Sequence, residues 1–301
     1  MADEENWSLI AQPGRSLARE GSAGRCIVEE MVTGALEIME AQTSALVPRF
    51  AIGEHLLSEP TYLQILAWAD ELGLKPELVL EHLLRLPEAE KKLWGWKDDM
   101  RTLIEDGRLK RIALNRDWLP VDCARWQVGL VLESLVIWGG AKKLTYFKPQ
   151  LPELKRLWIV DQQLNELVIS EVPKLQFLDC TNNQITELDL SKVPALQELR
   201  CTLNELVELD LTAVSALRVL RCGGNQITEL DLSAVPALLE LGCETNKISK
   251  LDLSAVPELQ ELFCLGNLIS ELDITPLKAL NSLIYFTEAQ IPLIQRPDQN
   301  F

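Results

Sequence analysis

Six consecutive segments run without a break from Leu151 to Pro276: LPELKRLWIVDQQLNELVISE (151–171), VPKLQFLDCTNNQITELDLSK (172–192), VPALQELRCTLNELVELDLTA (193–213), VSALRVLRCGGNQITELDLSA (214–234), VPALLELGCETNKISKLDLSA (235–255) and VPELQELFCLGNLISELDITP (256–276). Each is 21 residues long, and about a dozen positions recur in register. A fixed period in this range predicts a solenoid, in which each coil buries its apolar side only against its neighbours. In the second segment the apolar positions are Leu175, Leu178, Cys180, Ile185, Leu188 and Leu190. Leu178 and Cys180 alternate with Phe177, Asp179 and Thr181, which predicts a short strand with one face in the core. Leu188-Asp189-Leu190 repeats the alternation and predicts a second extended stretch on the opposite, convex side.

The column Asn183, Asn204, Asn225, Asn246 and Asn267, with Gln162 in the first segment, falls where the chain must turn inward. A buried amide there can bond backbone groups of the adjoining coil. Pro152, Pro173, Pro194, Pro236 and Pro257 follow the start of five of the six segments and disfavour helix. The template L-x-x-L-x-L/C-x-x-N-x-L resembles the leucine-rich repeat. With Cys in the third apolar slot and LDL nine residues later, the segments resemble the nested IRREKO class of bacterial repeats, L-x-x-L-x-C-x-x-N-x-L-x-x-L-D-L-x-x-N. They depart from it after LDL, with Ser-Lys-Val-Pro or Ser-Ala-Val-Pro in place of the last asparagine. The resemblance covers about 126 residues. It implies a curved right-handed coil with a parallel concave sheet that recognises proteins, and no catalysis.

Looser coils flank this block. Leu109-x-x-Ile112-x-Leu114-x-x-Asp117 fits the template with Asp in the Asn slot, Leu132-x-x-Leu135-x-Ile137-x-x-Gly140 fits less well, and Leu280-x-x-Leu283-x-Tyr285 starts a ninth coil. The expected architecture is an α/β solenoid of about nine coils preceded by an all-α N-terminal cap. The organisation is a polar arm (1–24), a helical domain (25–108), the solenoid (109–290) and a tail (291–301) that closes the core. Within the cap, Val28, Met31, Val32, Ala35, Ile38 and Met39 recur at helical spacing, and Pro48 ends that helix. Tyr62, Ile65, Leu66, Ala69 and Leu72 predict a helix capped by Ser58 and ended by Gly73. Pro76 opens a second with Leu78, Val79, His82 and Leu83 on its apolar face, and short helices are expected near 88–94 and 98–106.

The chain has 301 residues, 47% of them hydrophobic, and a net charge of −16. Residues 1–108 carry 20 acids against 11 bases (−9) and residues 109–301 carry 25 against 18 (−7), so both parts are acidic. Such a balance argues against nucleic acid and anionic membranes as partners. Ala69, Gly73 and Val79 have helix-turn-helix spacing, but Glu77 and Glu81 on the would-be recognition helix oppose phosphate. No leader or membrane-length apolar run is visible, which predicts a cytoplasmic protein.

No nucleophile–base set, phosphate loop or metal-ligand spacing can be assembled, so neither enzyme activity, nor a cofactor, nor a small-molecule substrate is expected. Cys180, Cys201, Cys222, Cys243 and Cys264 are read as small core residues rather than zinc ligands, because a linear column does not converge. The column Asp189, Asp210, Asp231, Asp252 and Asp273 is read as turn-bonding rather than calcium-binding, for the same reason. Function is expected on the strand face turned to solvent. There Trp138, Trp158, Val160 and Phe177 form one apolar group, and Phe263, Leu265, Ile284 and Phe286 another. Arg200 and Arg221 lie between them on adjacent strands, where two like charges call for an acid from the partner. The candidate contact residues are Trp138, Arg156, Trp158, Phe177, Asp179, Arg200, Arg221, Glu240 and Phe263. An unidentified protein partner is expected. The alternative is a bacterial effector or enzyme whose activity lies in the N-terminal helical domain, with the repeats selecting the target.

Overall fold

A computed structural model describes residues 50–84, 102–117, 129–139, 144–284 and 292–299. The chain divides into two compact units, Met1–Pro48 and Arg49–Phe301. The first lies outside the described residues, as do the expected arm, the first helix and the helix near 88–94.

The second unit opens with a hairpin, β1 (Phe50–Ile52) and β2 (His55–Leu57), followed by helices α1 (Glu59–Leu72) and α2 (Pro76–Leu84). Then come β3 (Leu103–Glu105), β4 (Arg108–Asn115), β5 (Ser134–Trp138), β6 (Tyr146–Phe147), β7 (Arg156–Ile159) and β8 (Glu166–Leu167). The regular coils carry β9 (Phe177–Asp179), β10 (Glu198–Arg200), β11 (Val219–Arg221), β12 (Glu240–Gly242) and β13 (Glu261–Phe263). β14 (Leu272–Asp273), β15 (Ser282–Ile284) and β16 (Leu293–Ile294) end the described chain. One 10-stranded sheet runs β15-β13-β12-β11-β10-β9-β7-β5-β4-β3. Its nine strands from β4 onward are parallel and delimit about eight turns of a parallel β-solenoid.

Stacking follows the register. Leu157, Leu178, Leu199, Leu220, Leu241 and Leu262 lie opposite one another and are fully buried. Each such side chain contributes roughly 1.5–3 kcal/mol through burial. The asparagine column does what its position demands. Asn225 Nδ2 donates to the carbonyls of Cys201 (3.0 Å) and Cys222 (2.9 Å), and its Oδ1 accepts the Leu206 N–H (3.0 Å). Asn183, Asn204, Asn246 and Asn267 repeat the pattern. Gln162 Nε2 reaches Gly139 O (3.0 Å), while its Oε1 accepts from Arg116 Nη1 (3.1 Å).

The ends depart from the sequence expectation. The N-terminal part is mixed rather than all-α. Asp106 and Gly107 both take positive φ (50° and 73°), the geometry of an Asp-Gly hairpin turn, so residues 103–105 form a strand antiparallel to β4 instead of a helix. Gly53 (φ 59°) alone takes positive φ in the turn of the β1–β2 hairpin. Ser58 precedes α1 without a side-chain cap bond; its Oγ donates to Thr61 Oγ1 instead (3.0 Å). Thr61 is buried and accepts the Leu109 N–H (3.0 Å), tying α1 to the first coil. Gly73 closes α1 in the left-handed region and Pro76 opens α2, as expected. His82 and Leu78 are exposed, because Val79, Leu80 and Leu83 supply the buried face. Asp117 is exposed and does not fill the asparagine slot; the neighbouring Arg116 is the buried residue.

Among the described residues the convex alternation forms strands only near the two ends, β6 with β8 and β14 with β16, and carries no regular secondary structure in between. At the far end Gln299 is buried, and its Nε2 donates to Ile274 O (3.0 Å) and Leu277 O (2.8 Å). In the aspartate column, Oδ1 of Asp189, Asp210, Asp231, Asp252 and Asp273 accepts the N–H two residues on. Bonds from the Ser191 hydroxyl and N–H hold Asp189 below the usual carboxylate range. The N–H and hydroxyl of Thr212 do the same for Asp210, of Ser233 for Asp231 and of Ser254 for Asp252. Among the described residues no group of three or more His, Cys, Asp or Glu is placed to hold a metal ion.

Two outcomes test this core. Asn225→Ala should lower stability by about 2–4 kcal/mol, because it strands buried donors and acceptors in two coils. The exposed neighbour Gln226→Ala should change it by less than about 0.5 kcal/mol; chemical denaturation of both variants gives the comparison. The five column thiols are buried, and burial pushes Cys222 and Cys264 up to about 12, with the Glu244 carboxylate adding to the rise. A thiol probe should therefore modify the column no faster than the protein unfolds globally. Rapid native-state labelling of Cys201 or Cys222 would show that the column is not core.

Candidate functional site

The short strands point every second side chain away from the core, so the sheet carries two outward rows from β7 to β13. One row reads Arg156, Phe177, Glu198, Val219, Glu240 and Glu261; the other reads Trp158, Asp179, Arg200, Arg221, Gly242 and Phe263. All the candidate contact residues except Trp138 belong to these rows, and Trp138 stands on β5 in register with Asn115 of β4.

The first apolar group assembles. Ala113, Val136 and Trp158 form a small cluster outside the main core, with Trp138 and Phe177 packed against it. The Trp158 and Phe177 rings lie 4.4 Å apart at 36°. A guanidinium covers each ring: Arg156 Cζ is 5.8 Å from Trp158 and Arg200 Cζ is 5.6 Å from Phe177. Cation, ring, ring and cation thus form one stack across β7, β9 and β10, an arrangement favoured by the ring quadrupole. Trp158 is only 8% exposed, so it supports the cluster rather than standing free as an anchor. Trp138 and Phe177 are half-buried and keep accessible surface. In the second group, Phe263 is half-buried and Leu265 exposed. The Ile284 side chain and Phe286 lie outside the described residues.

The two central arginines do not wait for an outside acid. Arg200 Nε and Nη2 bond Glu198 Oε1 at 2.7 and 2.5 Å. Arg221 Nε and Nη2 bond Glu240 Oε1 at 2.6 and 2.5 Å. Although Arg200 and Arg221 are register partners, the facing row supplies a carboxylate for each and relieves their repulsion. The Asp179 carboxylate accepts the Thr181 N–H (3.1 Å).

Sequence reasoning missed Glu244. Its carboxylate fills the space a side chain would take at Gly223, with atoms 2.5 Å from the position of an added Cβ, and it also overhangs Gly242 (3.1 Å). Its Oε2 is buried without a hydrogen-bond partner among the described residues. The signal was available: Gly223 and Gly242 are the only glycines in the outward columns of the six regular coils.

Comparison with known proteins adds little to this geometry. No protein-family pattern and no curated protein matches the sequence. Among solved structures, the functional domain of InlJ from Listeria monocytogenes, described as including a cysteine ladder, is 25% identical. That match has a TM-score of 0.48 and covers 59% of this chain and 44% of that one. The internalin InlF of Listeria monocytogenes is 22% identical with a TM-score of 0.44, over 54% of this chain and 49% of that one. A leucine-rich repeat protein of Leptospira interrogans is 22% identical with a TM-score of 0.39, over 46% and 44%. The chain spans less than half the length of each. The fold assignment therefore stands on the coils themselves.

Trp158→Ala should cost about 2–4 kcal/mol of stability, since it empties a packed cluster, while Arg221→Ala should cost less than about 1 kcal/mol, as removal of an exposed ion pair does. Thermal and denaturant unfolding of the two variants would reverse this ranking if the cluster were open surface.

Proposed function

We propose that the chain is a protein-interaction scaffold that binds its partner on the outward, concave face of the parallel sheet, without catalysis or cofactor. The observation that supports this reading is the Ala113–Val136–Trp158 cluster with Trp138 and Phe177 on it. These side chains lie outside the core, yet they are aromatic and aliphatic on a strongly acidic chain. Trp138 and Phe177 keep accessible area on this buried base, and exposed apolar area marks contact surfaces, where aromatic and arginine side chains dominate interface energies.

In this reading Trp138, Phe177 and Phe263 are the anchors, and Trp158 holds the first two in place. Arg156, Asp179, Arg200, Arg221 and Glu240 form the polar surround that sets register. The partner is a protein; the acidic surface disfavours nucleic acid and anionic lipid. Among the described residues no helix is long and apolar enough to cross a membrane. A cytoplasmic setting, where the column thiols stay reduced, belongs to the same proposal. The alternative is an activity carried by residues 25–108, of which about half lie outside the described set.

A photo-cross-linking amino acid placed singly at Thr181 or Thr202, on the sheet face, should yield a discrete cross-linked partner in the native cell. The same group at Glu229 or Asp231, on the convex side, should yield none. Cross-links from the convex positions alone would mean that the wrong face has been assigned.

A further inference from the structure

Two core columns lose their cover at the last strand of the sheet. One column runs from Leu154 to Leu259 and the other from Leu157 to Leu262, one leucine per coil, and every member is fully buried. Their continuations in the ninth coil, Leu280 and Leu283, are only half-buried.

The backbone opens at the same place. Among the described residues β15 has β13 as its one neighbour. The N–H groups of Asn281 and Ser282 both donate to the Gln260 carbonyl of the coil before (2.8 and 3.1 Å). Backbone groups alternate in direction along a strand, so the N–H and carbonyl of Leu283 point to the open side. In the interior coils the residue equivalent to Asn281 accepts two N–H groups from the coil that follows, as Gln260 does; no described residue does so for Asn281. The described residues further on turn to the convex side, where β16 pairs with β14 and Gln299 bonds the carbonyls of Ile274 and Leu277.

A free strand edge is commonly guarded by charge. This one is not: residues 279–284 hold no ionisable side chain, on a chain of net charge −16. Every other strand of the sheet carries one except β5, which lies between β4 and β7. The opposite end of the core has no matching opening. There Ile65, Trp68, Val79 and Leu83 of α1 and α2 are buried in the same core, and β3 ends in Glu105.

We propose that the β15 edge is the interface for a second copy of this chain, with two copies joined edge to edge about a two-fold axis. A surface with open apolar columns and open backbone at one end alone is complemented by itself and not by the other end. A two-fold perpendicular to the sheet pairs the two β15 strands antiparallel and keeps their core sides together, which is an isologous, closed contact. Inward side chains must face inward side chains. Centring the pair on Leu283 meets that condition and lets the two Leu283 residues exchange N–H···O bonds across the axis. The joint buries no charge, so it avoids the desolvation that an acidic chain would otherwise meet there. The outward faces of both copies then turn to the same side.

Sedimentation velocity of the full-length protein in reducing buffer, over roughly 1–100 µM, should show a monomer–dimer equilibrium and no larger species. Leu283→Lys should weaken the dimer about tenfold or more, because it sets two ammonium groups opposite each other at the axis. Glu105→Lys, on the edge strand at the other end, should leave it unchanged. Circular dichroism shows whether Leu283→Lys is folded. If it is not, Leu283→Cys decides. Across a hydrogen-bonded antiparallel pair the Cα atoms lie about 5.5 Å apart, within disulfide reach, so mild oxidation should link two chains to an extent that the wild-type protein does not. A monomer at every concentration overturns the proposal and leaves the edge to a strand of some other protein. Oligomers that grow beyond a dimer overturn it, as does a dimer that folded Leu283→Lys keeps at full strength. Where that variant is unfolded, a Leu283→Cys protein that does not cross-link overturns it as well.

Discussion

The bond that the rest of this structure depends on is the asparagine amide at the inward turn of each coil. A solenoid buries its turns as well as its strands, and a buried turn leaves backbone groups that no ladder satisfies. One asparagine answers for two coils: its NH₂ donates to a carbonyl in its own coil and one in the coil before, and its oxygen accepts an N–H from the coil before. This geometry admits only small change in coil length, because an insertion would move the amide away from both carbonyls. It accounts for six segments of identical length. Where the regular coils end, longer side chains take over related duties: Gln162 with Arg116 at one end, Gln299 at the other.

The same turn imposes a second constraint. The residue before each ladder position takes positive φ: Asp161 (55°), Asn182 (57°), Leu203 (55°), Gly224 (65°), Thr245 (52°) and Gly266 (72°). Only glycine adopts this region without steric cost, with asparagine and aspartate next. Four of the six positions follow that preference. Leu203 and Thr245 do not, and the coil interface over-determines them. Leu203 also lies across Gly224, where an added Cβ would come within 2.7 Å of its Cδ2, so Gly224 is required for space as well as for conformation. Packing between coils therefore overrides local preference, and it can do so because every turn is clamped on both sides by the amide ladder.

How much of this was legible follows from what repeats. The parallel sheet, the core columns, the buried thiols and the asparagine role are all properties that successive copies impose on one another, and the sequence states each of them five or six times. The N-terminal part is stated once. There the period of three and four predicts α1 and α2, whereas the hairpins turn on Asp106-Gly107 and Gly53-Glu54, short signals without flanking alternation that no periodicity picks out. His82 was placed on the apolar face because Leu78 and Leu83 bracket it; the helix turns Val79, Leu80 and Leu83 inward instead. Such single-copy segments are decided by tertiary contacts that no periodicity reports.

The candidate face shows the limit in a different way. Which residues point outward was readable from alternation, and the structure keeps every register partner. What those residues do to one another was not readable, because it depends on the diagonal between strands. Arg200 looked stranded beside Arg221, yet Glu198 is its own neighbour two residues back and Glu240 sits across the strand from Val219, beside Arg221. Each arginine on the central strands thus finds a carboxylate within the protein, and a partner gains little by offering another.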